Sequence, residues 1–258
     1  MDRFHDRFPD CAPGMDTKAD ITADRRWRRR KMARPPGRDE RAGFLPASTE
    51  SPRVMLSVTR LVGERNGLRL WGPLDFAVHA GEILHLRGPN GCGKTTLLRT
   101  LAGLRPPLAG KVERGEQACS FLGHHDGWSE DLSARLNLEL FAQLHGGDVA
   151  ALAGQLVVPA LLKELGVPDR AVRYLSAGQR RKLALARLRL TMHPLLLLDE
   201  PFDALDTHGC AWLTALAHAY QSGLAGAIVL TSHQALPADF PGCRVLDLAG
   251  SAAQRSTA

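Results

Sequence analysis

The chain has 258 residues, of which 44% are apolar, 23% charged and only 5% aromatic, with a formal charge of +6 at pH 7. This is a globular composition with an aliphatic core, enough chain for one large or two small domains, and no apolar run near the roughly 18 residues of a membrane span. Residues 1–54 carry 13 Lys and Arg against 9 Asp and Glu, so the remainder is almost neutral and no basic nucleic-acid face is expected.

The first 54 residues hold Arg25-Arg26-Trp27-Arg28-Arg29-Arg30-Lys31 and then Pro35-Pro36-Gly37, without a sustained helical or strand period. Twin arginines belong to export signals, but no apolar segment follows them. The basic run suits an anionic lipid surface, and its composition suits a solvated, disordered extension better. Met55 is also a candidate natural start. Five cysteines, at 11, 92, 119, 210 and 243, show no metal or disulfide spacing and fit a reduced cytosolic setting.

From there the pattern alternates strands and helices. Residues 54–62 and 74–78 read as strands, with Ala80-Gly81 as a turn. Ile83-Leu86 reads as a strand followed by a Gly-rich loop and a helix over 96–103. Short strands are expected at 111–113 and 118–122. Residues 132–165 turn helical, with apolar residues at Leu136, Leu140 and Leu144 and again at Leu152, Leu156, Ala160 and Leu161. A helix is expected over 176–191, a buried strand over 195–198, a helix over 207–222, a strand over 227–231 and an edge strand over 244–248. This order predicts a mainly parallel α/β sheet covered on both faces, with a helical insertion over about 126–188 and a short tail at 251–258. His79 and His85 alternate with apolar residues and read as strand positions, and Trp71 reads as core.

The chemistry concentrates in four places. Gly88-Pro89-Asn90-Gly91-Cys92-Gly93-Lys94-Thr95 is G-x-x-x-x-G-K-T between a strand and a helix, the context of a phosphate-binding loop. Glycines let the backbone N–H groups turn inward around a polyphosphate, and the helix N-terminus adds unpaired donors. Lys94 can reach the outer phosphates, the Thr95 hydroxyl can hold Mg²⁺, and Thr96 follows in the same turn. Cys92 reads as a small side chain at a permissive position rather than a redox sensor. Leu195-Leu196-Leu197-Leu198-Asp199-Glu200-Pro201 puts two carboxylates at the C-terminal end of a buried strand, where ligand chemistry sits in such sheets. Asp199 suits Mg²⁺, and Glu200 suits deprotonation of an attacking water. His233 ends the apolar run Ile228-Val229-Leu230-Thr231-Ser232 and can bond a γ-phosphate. Leu175-Ser176-Ala177-Gly178-Gln179 opens a helix with a Ser cap, a second anion-ready N-terminus.

Together these segments and Ala204-Leu205-Asp206 resemble the ABC-type ATPases, in the order Walker A, signature, Walker B, D-loop and switch histidine, over residues 55–250. A closer resemblance is to the CcmA family, the ATPase subunit of the haem exporter of cytochrome c maturation. It is carried by Met55-Leu56-Ser57-Val58, Leu122-Gly123-His124, Leu175-Ser176-Ala177-Gly178-Gln179-Arg180-Arg181, Leu185-Ala186-Arg187-Leu188 and Thr231-Ser232-His233-Gln234. His125 and Asp126-Gly127-Trp128 depart from that pattern, which has Gln and then Pro-Gly. The resemblance implies a phosphate-loop fold with an antiparallel β subdomain and a helical subdomain. It also implies ATP and Mg²⁺ as ligands, His124 and Asp206 at the nucleotide, and a homodimer in which Ser176, Gly178 and Gln179 face the partner's phosphate. The implied partners are integral membrane subunits similar to CcmB and CcmC, at the cytoplasmic face of the inner membrane. A transport ATPase for another substrate, or a soluble ABC protein acting on ribosomes or DNA, are the alternatives. The aromatic on which such ATPases stack adenine is missing; its place falls near Arg65, which can stack on a base or be a surface charge.

Overall fold

The computed structural model describes residues 53–115, 118–124, 126–222 and 226–249, with the backbone alone for 146–156. The expectations for 1–52, His125 and 251–258 lie outside the described residues, as do those for the side chains of Leu152 and Leu156. The alternating residues of β1 (Val54–Arg65) pair antiparallel with β2 (Leu68–His79) across a hairpin. Asn66 and Gly67 form its turn with φ of 53° and 75°, the pair of left-handed residues that matches the twist of the flanking strands. β2 therefore begins six positions before the strand read at 74–78. Gly72 and Pro73 interrupt the alternation, but Trp71 already points inward and is 1% exposed. β4 (Ala109–Glu113) pairs with the other edge of β1, completing an antiparallel sheet in the order β2-β1-β4.

The second sheet is wholly parallel, in the order β5-β6-β7-β3-β8. Its strands are β3 (Ile83–Arg87), β5 (Cys119–Leu122), β6 (Leu195–Leu198), β7 (Ala227–Thr231) and β8 (Arg244–Asp247), with β8 at an edge as expected. β6 and β7 are buried at every residue, which is why they read as continuous apolar runs rather than alternating ones. On one face Leu84, Leu86, Leu195, Leu197 and Val229 pack with α1 (Lys94–Leu101) and the antiparallel sheet. On the other, Ile83, Leu196, Leu198, Ile228 and Leu230 pack with α3 (Ala177–Thr191) and α4 (Thr207–Ser222).

A third cluster joins α2 (Ala134–Leu165) to α3. The helix read from the sequence is present, but Leu136, Leu140 and Leu144 are exposed on it. Its inner face is built instead by Ala134, Leu138, Val158, Leu161, Leu162 and Leu165. α3 is buried on two sides: Leu183 and Ala186 face α2, while Ala184, Leu185 and Leu188 face the sheet. His85 is fully buried in β3, and that burial pulls its imidazole pKa below the ordinary value, in keeping with a neutral core residue. Among the described residues no helix is long and apolar enough to cross a membrane.

Candidate functional site

β3, β6 and β7 are neighbours in the parallel sheet, so the loops leaving their C-terminal ends meet at one edge. The phosphate loop follows β3, Asp199 and Glu200 follow β6, and His233 follows β7. Glycine is required at two points of the loop. Gly93 has φ of 101°, and a Cβ there would lie 2.6 Å from Trp71 Nε1. Gly88 has φ of 147°, and a Cβ there would lie 2.7 Å from Cys92 Sγ. Trp71 Nε1–H donates to the Gly93 carbonyl at 3.2 Å, so the buried indole of β2 supports the loop from behind. Cys92 is itself buried, as a small packing residue should be. The Lys94 ammonium donates to the Gly88 carbonyl at 2.8 Å and lies 3.4 Å from that of Pro89. It thus sits over the cradle at the N-terminal end of α1.

Asn90, Gly91, Gly93, Lys94, Thr95 and Thr96 line a cleft of about 250 Å³, joined there by His124, Glu200, Arg65 and Leu70. Arg65 therefore stands at the end of β1 within the same cleft as the loop.

Asp199 is fully buried. Its Oδ1 accepts from the Thr231 hydroxyl at 2.9 Å, while Oδ2 has no hydrogen-bond partner among the described residues and lies 3.8 Å from His124 Nε2. A buried carboxylate oxygen left free costs several kcal/mol, on the order of 1–3 or more, unless something else binds it. Together with the Thr95 hydroxyl in the adjoining cleft, it is a hard-oxygen donor set that fits Mg²⁺.

Glu200 is held at its backbone N–H, its carbonyl and one carboxylate oxygen. Its φ is 48°, a left-handed conformation that costs a non-glycine residue about 1–2 kcal/mol. Its N–H donates to Thr231 Oγ1 at 2.9 Å. Its carbonyl accepts from Arg181 at 2.7 Å. Its carboxylate accepts the His233 N–H at 2.8 Å and lies 3.1 Å from His233 Nδ1. Asp203 Oδ1 is 3.6 Å from the same imidazole nitrogen. A carboxylate so constrained, beside a phosphate cradle, is placed to orient and deprotonate water.

Ser176, Gly178 and Gln179 are placed elsewhere. Ser176 caps α3, with its Oγ accepting from the Gln179 N–H at 3.2 Å and the Gln179 Oε1 accepting from the Ser176 N–H at 3.0 Å. A Cβ on Gly178 would lie 2.7 Å from the Ala204 carbonyl. None of the three lines the cleft around Lys94. Asp206 does not line it either; it caps α4 through the Gly209 N–H at 2.8 Å and pairs with Lys182 at 2.7 Å. The Lys182 hydrogen bond, first, and the Gly209 N–H pull its carboxyl below the usual range.

Arg181 was not singled out as functional from sequence. It is 6% exposed and donates to the carbonyls of Gly123 at 2.7 Å, Asp199 at 2.8 Å and Glu200 at 2.7 Å. One guanidinium thus joins α3, the loop of His124 and the main chain of Asp199 and Glu200. Nothing in the run Arg180-Arg181-Lys182 distinguishes the buried Arg181 and Lys182 from Arg180, or the one that bridges three carbonyls from the other two.

Residues 72–203 match the model of the ABC transporter family. The chain is 40% identical over 196 residues to the cytochrome c biogenesis ATP-binding export protein CcmA of Rhodobacter capsulatus, covering 76% of this chain and 88% of the relative. It is 40% identical over 216 residues to the protein of the same name from Xanthomonas campestris, covering 80% and 99%. Over 178 residues it is 44% identical to that of Ruegeria pomeroyi, covering 67% and 83%. Among solved structures it is similar to a metal-chelate type ABC transporter in an inward-facing conformation, at a TM-score of 0.61 and 30% identity over 76% of this chain and 80% of that one. An ATP-binding cassette dimer in a post-hydrolysis state with ADP and Pi shares the fold at a TM-score of 0.65 and 21% identity, over 75% and 94%.

Proposed function

The chain belongs to the ABC transporter family of ATP-binding proteins and, within it, to the CcmA group, and from that membership we propose that it hydrolyses ATP as the cytoplasmic subunit of a haem exporter serving cytochrome c maturation. The observation that carries the ATPase reading is the meeting of Lys94, Asp199, Glu200 and His233 at the carboxyl ends of three adjacent parallel strands. Domain and partner assignments follow. Residues 55–250 form the ATPase domain, with 126–188 as its helical subdomain. Two copies meet head to tail at the cytoplasmic face of the inner membrane, on membrane subunits similar to CcmB and CcmC.

In this reading the loop N–H groups and Lys94 hold the phosphates. Thr95 and Asp199 Oδ2 would hold Mg²⁺, which would neutralise phosphate charge. Glu200 accepts the proton of the attacking water, and His233 donates toward the γ-phosphate. The signature cannot serve the same chain's cradle, because Ser176, Gly178 and Gln179 lie outside its cleft. A second copy has to present them, and the bound γ-phosphate then bridges the two copies until hydrolysis releases it. Asp206 supports this interface through the cap of α4, and His124 reaches toward Asp199 from the β5 loop.

The test is hydrolysis by the full chain assembled with its membrane subunits in vesicles and supplied with Mg²⁺. Saturable turnover is expected, and Lys94→Ala should lower it by about 10²-fold or more, as loss of a transition-state donor does. Failure of the wild-type assembly either to bind or to split ATP defeats the proposal. With ATP present throughout, comparing haem-free with haem-loaded vesicles then separates haem export from export of another cargo.

At the other end of the cleft we assign Arg65 to the base. A guanidinium over a purine contributes about 0.5–2 kcal/mol, so Arg65→Ala should weaken ATP binding by about 2- to 30-fold while Arg65→Tyr keeps it. Equal affinity of Arg65→Ala and wild type, measured with a fluorescent ATP analogue, makes Arg65 a surface charge.

A further inference from the structure

We propose that Glu200, Asp203 and His233 form a regulatory site for a divalent cation of the zinc class, and that its occupation stops hydrolysis. The inference rests on the reading of Glu200 and His233 as the hydrolytic pair and adds to it an inhibitory ligand and a residue, Asp203, outside the nucleotide cleft.

One ligand atom from each of the three residues lies within 4.8 Å of the other two. His233 Nδ1 is 3.1 Å from Glu200 Oε2 and 3.6 Å from Asp203 Oδ1. A tetrahedral ion bound at about 2.0–2.2 Å from each ligand sets its ligand atoms about 3.3–3.6 Å apart. The two separations from His233 Nδ1 already lie close to that range and the two carboxylates stand within 4.8 Å of each other, so an ion enters by side-chain adjustment rather than a loop rearrangement.

The donor set decides which ion. One imidazole nitrogen with two carboxylate oxygens and an open position suits zinc and its neighbours, whereas Mg²⁺ prefers oxygen alone and keeps its waters. The cleft thus separates two cations by chemistry: oxygen donors from Asp199 and Thr95 for Mg²⁺, and a nitrogen-bearing set beside them for the softer ion.

The site is also held in place before any ion arrives. Glu200 has 9% of its side chain exposed, and its backbone is fixed by Thr231 and Arg181. The Asp203 N–H donates to the Glu200 carbonyl at 3.2 Å, so the two carboxylates belong to one turn. Asp203 and His233 are 34% and 47% exposed at their side chains, which leaves a path from solvent.

Binding places the metal on Nδ1 in place of a proton, with Nε2 carrying the remaining ring proton. Glu200 then no longer accepts a proton from water, and the loop after β7 is tied to the segment after β6.

The experiment titrates Zn²⁺ into the full chain without nucleotide by calorimetry, and Co²⁺ by visible absorption, then repeats both on Asp203→Asn and Asp203→Ala. One ion per chain that depends on Asp203 is expected, with both variants weakening it by about tenfold or more, the scale on which lost supporting groups lower metal affinity. The Zn²⁺ concentration that halves ATP hydrolysis, read against each variant's own zinc-free turnover, should rise by the same factor. A chain that hydrolyses ATP but holds Zn²⁺ equally well without Asp203 overturns the metal site alone. A chain that holds Zn²⁺ through Asp203 yet hydrolyses nothing keeps the site and overturns both its inhibitory role and the ATPase reading.

Discussion

Glu200→Gln is expected to lower turnover at saturating ATP by about 10²–10⁴-fold, the range a positioned general base contributes, while ATP stays bound. The substitution replaces one carboxylate oxygen by an amide and changes little else. The amide oxygen still accepts the His233 N–H, now 2.8 Å from the carboxylate. The backbone tethers to Thr231 and Arg181 use the N–H and carbonyl of residue 200 and are indifferent to its side chain. The residue keeps φ near 48° because those tethers, not the carboxylate, oppose the strain. Lys94, Thr95 and Asp199 are untouched, so nucleotide affinity has no reason to fall. What is lost is the proton acceptor, and with it the step that dissolves the γ-phosphate bridge. An ATP-bound dimer should therefore accumulate. Single-turnover hydrolysis with equilibrium binding and light scattering reads all three quantities, and turnover near wild type would remove Glu200 from its role.

The chemistry was legible because it is local. A phosphate loop needs glycines at fixed offsets and a strand and helix around it, and all are contiguous in the chain. The Ser176 cap is equally local, and its reciprocal bond with Gln179 is the sequence pattern itself. The strand at 68–73 was missed although Asn66-Gly67 announces a hairpin, because Gly72 and Pro73 hid the alternation. On α2, apolar residues recur on two faces, and periodicity finds a helix without saying which face has a neighbour. Leu138 and Leu162 meet α3, whereas Leu136 and Leu144 do not. The pairing of Asp203 with His233 joins loops from separate strands, so no spacing within the chain encodes it.

Arg181 is the strongest case of such a long-range feature, and Arg181→Met should cost about 3–5 kcal/mol of stability, the scale for breaking a buried charged network. Its three carbonyl partners lie 58, 18 and 19 residues away in the chain. Burial pulls its pKa down, while Asp126, Asp203 and Asp199 push it up, so the guanidinium stays charged inside the protein. Methionine fills much of the volume but leaves the carbonyls of Gly123, Asp199 and Glu200 without this donor. Arg181→Lys should recover only part of the loss, since a compact ammonium cannot span the arc that a planar fork covers. The effect on activity is separable from the effect on stability. Arg181 touches no nucleotide group; it fixes the main chain that aims Asp199 and Glu200. At a temperature where the variant is still folded, kcat should fall by about 10- to 10²-fold, the penalty of misplacing reacting groups by an ångström or less, with KM for ATP nearly unchanged because the phosphate loop is intact. Urea melts and steady-state kinetics on one preparation test both parts. A destabilised variant that retains full kcat would make Arg181 a packing residue. A fall in kcat with KM held shows that the charge buried behind the sheet edge is what points the carboxylates at their work.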